Sequence, residues 1–241
     1  MELTKKELRN LLIASIIAGL VFSFNEWGIE TFNLVFGLKN FIRAILISAL
    51  IYSVHIFAQK IAARRISCDA EFSLISTTSK RVPKYFKNIG PIATILISIL
   101  SNGKLFFIAL ASFTIKTSKK KRVGHKWTNI KETEEAAVAA AGPLSNLTLL
   151  ILFKLLLPLA TPFFSKAMFI ASTLAIFHLI PFPQFDGIKL LVGSRISYVF
   201  VAVLTILTVI LVNFLGAISS VIIALIIALA LTLFYLYKLE K

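Results

Sequence analysis

The chain has 241 residues, 58% of them hydrophobic, and 26 Lys or Arg against 11 Asp or Glu give it a formal net charge of +15. Mean hydropathy is +0.88, above what a soluble domain with an apolar share of about 45–50% would show, and the excess lies in blocks long enough to cross a bilayer. The cations fall between those blocks with no basic face interleaved with aromatics, which argues against nucleic acid as a partner and for cytoplasmic loops that meet anionic lipid.

In chain order, Lys5, Lys6 and Arg9 precede an apolar run over 11–24. Phe22 to Trp27 is too bulky for a signal-peptidase site, so the run is expected to stay as a first span with Trp27 at the interface. A second span is expected over Phe41–Gln59, ending at Lys60, Arg64 and Arg65. The loop between them, with Glu26, Glu30 and Lys39, is nearly neutral, which places it outside and the N-terminus inside. Ile66–Lys87 is polar and basic, and a patchy alternation over Cys68–Ile75 hints at short strands. Cys68 is the single cysteine, so no intrachain disulfide can form.

Gly90–Leu100 and Leu105–Ile115 are apolar halves divided by Ser101–Lys104. Each is too short to span alone, at about 16 Å as helix. Both flanks are basic, with Lys80, Arg81, Lys84 and Lys87 before and Lys116, Lys119, Lys120, Lys121 and Arg122 after. The expected form is a re-entrant or peripheral hairpin returning to the cytoplasmic side, which tends to lie near a site. Ala136–Ala160 and Lys166–Pro181 read as the next spans, Phe182–Arg195 as a cytoplasmic loop, and 198–214 with 216–237 as a C-terminal pair. The sum is an all-α polytopic membrane protein, a single domain over 1–241 with about six transmembrane helices and both termini cytoplasmic.

Three places are hard to explain as plain spans. His55 is an ionisable group inside the second span, with Gln59 on the same helical face. Ala140 to Asn146 brings small residues that allow close helix approach, Pro143, which removes a backbone donor, and the amide of Asn146. His178 to Gly187 contains Pro181 and Pro183, which stop a helix, and Asp186, which can serve as an N-cap or as a metal ligand. His125, in the basic loop, reads as a surface histidine.

Together these segments resemble the site-2 proteases, intramembrane zinc metalloproteases. That family carries His-Glu-x-x-His on one membrane helix, Ala-Gly-Pro-x-x-Asn on a later one, and then Asn-x-x-Pro-x-Pro-x-x-Asp-Gly. Here the second motif stands as Ala141-Gly142-Pro143-Leu144-Ser145-Asn146, and the third keeps Pro181, Pro183, Asp186 and Gly187 in register. The first appears as His55-Ile56-Phe57-Ala58-Gln59. The resemblance covers about residues 41–191, read as a protease-like core. It implies a metal site built from His55 and Asp186, with Gln59 a weak ligand, and a groove lined by Asn146, Gly142, Pro143, Pro181 and Pro183.

The departures fall on the chemistry. Ile56 occupies the general-base position and cannot move a proton, a loss that costs about 10²–10⁴-fold in rate. Gln59 replaces the second His, and His178 stands where the third motif opens with Asn. One reading is a pseudoprotease that binds transmembrane segments of other proteins, or regulates a related protease, without hydrolysis. A second is an active zinc protease with a rebuilt ligand set of His55, His178 and Asp186, an accepted donor combination, with Glu132, Glu134 or Glu135 as the substitute base. A third, from another class, is a transporter or channel component with broken helices and polar groups at depth.

Overall fold

A computed structural model describes residues 3–28, 32–76, 87–117 and 130–239. The expectations placed on Glu30, on the cations between Lys80 and Lys84, on Lys119 to Arg122 and on His125 lie outside those residues. Eight helices and two strands are formed among the described residues: α1 (Lys5–Ser23), α2 (Leu34–Arg65), β1 (Cys68–Leu74), α3 (Ile89–Leu100), β2 (Ala111–Thr117), α4 (Glu132–Leu156), α5 (Thr161–Leu179), α6 (Asp186–Gly193), α7 (Arg195–Leu211) and α8 (Ala217–Leu239).

The chain divides into two compact units, one over 1–53 and 71–114, the other over 54–70 and 115–241. In the first, Thr4 caps α1 and Glu7 closes a capping box, the reciprocal arrangement that satisfies two orphan N–H groups. Glu7 does more than cap. Its Oε2 accepts from the Thr4 N–H at 2.9 Å and its Oε1 from the Phe72 N–H of β1 at 3.0 Å. The carboxylate is fully buried, so it ties α1 to the edge of β1. Gly19 lets α1 and α2 approach closely, because a Cβ there would sit 2.4 Å from Ile45 Cγ1.

The apolar pair around Ser101–Lys104 is only half helical. Ile89–Leu100 forms α3 and turns at Asn102 and Gly103, both at positive φ. The following residues run extended into β2, which pairs with β1 in a two-stranded sheet. This corrects both the all-α expectation and the helical second half of the hairpin. The cause is tertiary: Ala109 N–H donates to Thr94 Oγ1 at 3.0 Å, Leu110 O accepts from Ile75 N–H at 3.1 Å, and Ile75 O accepts from Gly90 N–H at 3.1 Å. The aromatic and β-branched content of 105–115 suits a pleated, half-buried surface. The weak alternation over Cys68–Ile75 does correspond to a strand.

Among the described residues, four helices are long and apolar enough to cross a membrane: Leu34–Arg65, Glu132–Leu159 (α4 with the 3₁₀ turn after it), Thr161–Leu179 and Ala217–Lys238. About six were expected, and the differences have simple reasons. The first span is a helix, but α1 opens with Lys5, Lys6, Glu7 and Arg9. At 17 residues, α7 extends about 25 Å, less than the hydrocarbon core of about 30 Å.

In the second unit α4 is the central element, packed against α5, α6, α7 and α8. It begins with Glu132, Glu134 and Glu135, carboxylates that suit the positive end of a helix. Gly193 allows α6 to end against that start, since a Cβ would meet Glu132 O at 2.1 Å. The segment over 182–195, expected as a loop, therefore contains a packed helix, a correction that follows from its contact with the start of α4.

Candidate metal centre

Three elements of the second unit bring titratable side chains to one buried place. His55 lies on α2, His178 in the last turn of α5, and Asp186 is the first residue of α6. Pro181 and Pro183 are exposed. With Gln184 at φ 73 they stop α5 and turn the chain, so that α6 opens with its carboxylate pointing back into the core. Gly187 is required at that turn, because a Cβ would lie 2.2 Å from Leu179 O. Asp186 does not act as an N-cap: Phe185 holds that position, with no side-chain cap bond.

His55 Nε2 and Asp186 Oδ2 are 3.0 Å apart. The His55 and His178 rings stand with centroids 4.3 Å apart and planes at 41°. One ligand atom from each of the three residues falls within 4.8 Å of the others. His178 Nδ1 lies 2.6 Å from Leu174 O. When Nδ1 donates to that carbonyl, Nε2 is the unprotonated ring nitrogen, the usual way an outer partner sets a histidine tautomer.

The polar atoms around this cluster are short of partners. Among the described residues, His55 Nδ1, Gln59 Nε2 and both amide atoms of Asn146 are buried with no hydrogen-bond partner, and Asp186 Oδ2 has only its ion-pair approach to His55. An unsatisfied buried polar atom costs about 1–3 kcal/mol, so a concentration of them at one place argues for a group that belongs there. The donor set of two imidazoles and a carboxylate fits a divalent transition metal, and the buried His55, His178 and Asp186 group could hold a metal ion.

Comparison with protein-family models, with curated proteins and with solved structures finds no match. The geometry of the cluster therefore carries the reading of the site.

The residues singled out in the sequence are distributed as follows. Asn146 is fully buried and Gly142 and Pro143 lie on the same buried stretch of α4. Gly142 faces the cluster directly, since a Cβ on it would sit 2.4 Å from His55 Nε2 and 2.8 Å from Gln59 Nε2. Ile56 is buried beside His55 and offers no proton-carrying atom. None of the three acidic residues at the start of α4 joins the cluster: Glu132 is exposed, Glu134 accepts from the Lys131 N–H, and Glu135 pairs with Lys189 at 3.6 Å. Lys189 is the residue that sequence reading passed over. Burial lowers its ammonium pKa, while the Asp186 and Glu135 charges oppose that shift. Its spacing of three from Asp186 on one helix was the available signal.

Proposed function

We propose that this chain is a membrane-embedded, site-2-protease-like protein that holds zinc through His55, His178 and Asp186 and binds transmembrane segments without cleaving them. The observation that carries the reading is the meeting of those three ligand atoms within 4.8 Å in a buried place, beside an isoleucine at the position where hydrolysis needs a base. Zinc, when bound, supplies a Lewis acid. The residues of the chain supply the rest. His178 takes the ligand role that Gln59 leaves open, and its Nδ1 contact to Leu174 O orients the ring. The Gln59 amide nitrogen and the Asn146 amide, which have no hydrogen-bond partner among the described residues, are suited to hydrogen-bond the exposed backbone of an unwound segment, whose polar groups have no other partner in hydrocarbon. Ile56 accepts no proton, so a bound segment is held rather than hydrolysed.

The test is elemental analysis of the detergent-purified full chain, with His55→Ala, His178→Ala and Asp186→Ala alongside. About one zinc per chain is expected, lost in each variant. Wild-type protein without zinc would overturn the metal site. Site-specific photocrosslinking from position 146 in membranes should capture membrane proteins, and capture of none would overturn the binding role.

A second reading, active proteolysis with the rebuilt ligand set, is favoured by the same His178 position. Cleavage of a helical membrane substrate, abolished by Asp186→Ala, would establish it in place of the first.

A further inference from the structure

A cavity of about 510 Å³ lies in the second unit among α4, α5 and α7. Leu150, Met168 and Val209 form part of its apolar wall, and Lys154, Ser165 and Asn213 its polar part. Lys154 is eight residues along α4 from Asn146, about 12 Å of helix, so this place is separate from the metal cluster. It is five residues from Leu159, where the candidate span ends, or about 8 Å. That depth corresponds to the head-group boundary in a helix that crosses a bilayer of about 30 Å hydrocarbon.

A cation within a membrane helix is costly and normally finds a counter-charge. Among the described residues Lys154 makes no ion pair or hydrogen bond, and no acidic residue lines the cavity. Ser165 Oγ likewise has no partner among the described residues. Asn213 uses one amide hydrogen on Val209 O at 2.7 Å and keeps a second. The other two hydroxyls at the wall, Ser172 and Thr173, donate to carbonyls of their own helix. The free donors are thus one ammonium, one hydroxyl and one amide, facing a hollow with apolar sides. That combination complements an anionic oxygen group attached to hydrocarbon.

We propose that the cavity binds the phosphate head group of an acidic phospholipid, with Lys154 as the charge partner, Ser165 and Asn213 as neutral donors, and an acyl chain along Leu150 and Met168. A lysine that only complemented the end of α4 would show no preference among lipids.

The experiment uses the full chain in a neutral maltoside detergent, with phosphatidylglycerol, phosphatidylcholine and sodium phosphate as separate probes. Native mass spectrometry counts bound lipid, and thermal unfolding reads the stabilisation. Phosphatidylglycerol is expected to bind and raise Tm, and phosphatidylcholine to do neither. Lys154→Gln should weaken phosphatidylglycerol binding about fivefold, the worth of one basic side chain at an anionic lipid, with lipid-free Tm unchanged. Should Lys154→Gln fail to fold, Asn213→Ala replaces it and is expected to weaken binding in the same direction. Lys166→Gln, a change on α5 outside the cavity lining, should leave binding as in the wild type. Equal binding of the two lipids, equal loss in Lys166→Gln, or no loss in the cavity variants would overturn the proposal. Binding of inorganic phosphate as strong as that of the lipid would overturn it as a lipid site.

Discussion

Gly142 shows how narrow the tolerance is around the cluster. The nearest atoms to an added Cβ are His55 Cε1 and Nε2, both at 2.4 Å, and these belong to a ring held against His178 and Asp186. The ring cannot move aside without leaving its places beside His178 and Asp186. Gly142→Ala is therefore expected to cost about 1–3 kcal/mol as an overpacked core and to lower zinc content. Elemental analysis beside a denaturation curve measures both, and a variant with normal zinc and normal stability would contradict the packing argument. Ile56 supports a complementary prediction. On the proposed reading, Ile56→Glu places a proton acceptor next to His55, and a positioned base contributes about 10²–10⁴-fold. A rise of that size in cleavage of a helical substrate is expected if the missing base alone blocks hydrolysis. Unchanged cleavage by a folded, zinc-loaded variant would show that Gln59 or the placement of His178 also prevents it.

Among the elements, the contact between α1 and β1 has an unusual basis. A helix that begins with Lys5 and Lys6 would be expected to hold its place through surface charge, and Lys6 does approach Glu71 at 3.6 Å. Exposed pairs of that kind contribute only about 0–1 kcal/mol. The fully buried Glu7 matters more, because it serves the N–H groups of both Thr4 and Phe72. Glu7→Ala leaves both donors without it, at about 1–3 kcal/mol for each that stays buried. Amide exchange at Phe72 should accelerate in that variant and stay near wild type in Lys6→Ala. The same element scale explains the uneven success of pattern reading. The helix over 89–100 and the turn after it were legible from apolar run and turn residues, because those signals are local. The extended course of 105–115 was not, because its deciding partners are Thr94 and Ile75, and an apolar run of that length suits a helix or a strand equally.

For the whole molecule, the arrangement in the bilayer follows from charge and length. Four long apolar helices suggest membrane insertion, and counting α1 and α7 as crossings as well makes six. Both numbers are even, so either leaves the two termini on one side; with six crossings the basic stretches after α2 and α5 share that side, which gives the sequence-based expectation of cytoplasmic termini. Labelling from outside intact cells should reach neither a cysteine added after Lys241 nor one added before Met1. Cys68 is buried, so Cys68→Ser provides a silent background. Labelling of one end alone would require an odd number of crossings.

The sequence by itself determined the outline of the molecule: the apolar blocks, the basic segments between them, the turn at Ser101–Lys104, His55 and Asn146 as polar groups within apolar runs, and Asp186 as a candidate cap or ligand after them. Each of these is a property of a short stretch of chain, governed by transfer free energy and helix geometry. It also offered His178 as a candidate ligand, without showing what the ring would face. Only the tertiary structure placed Nδ1 at Leu174 O and the ring beside His55, in a buried group that could hold a metal ion. The reason is physical: the cluster is a relation between α2 and the pair α5 and α6, which lie about a hundred residues further along the chain, and the distances across it depend on Gly142 and Gly187 letting neighbours approach closely enough for three side chains to meet.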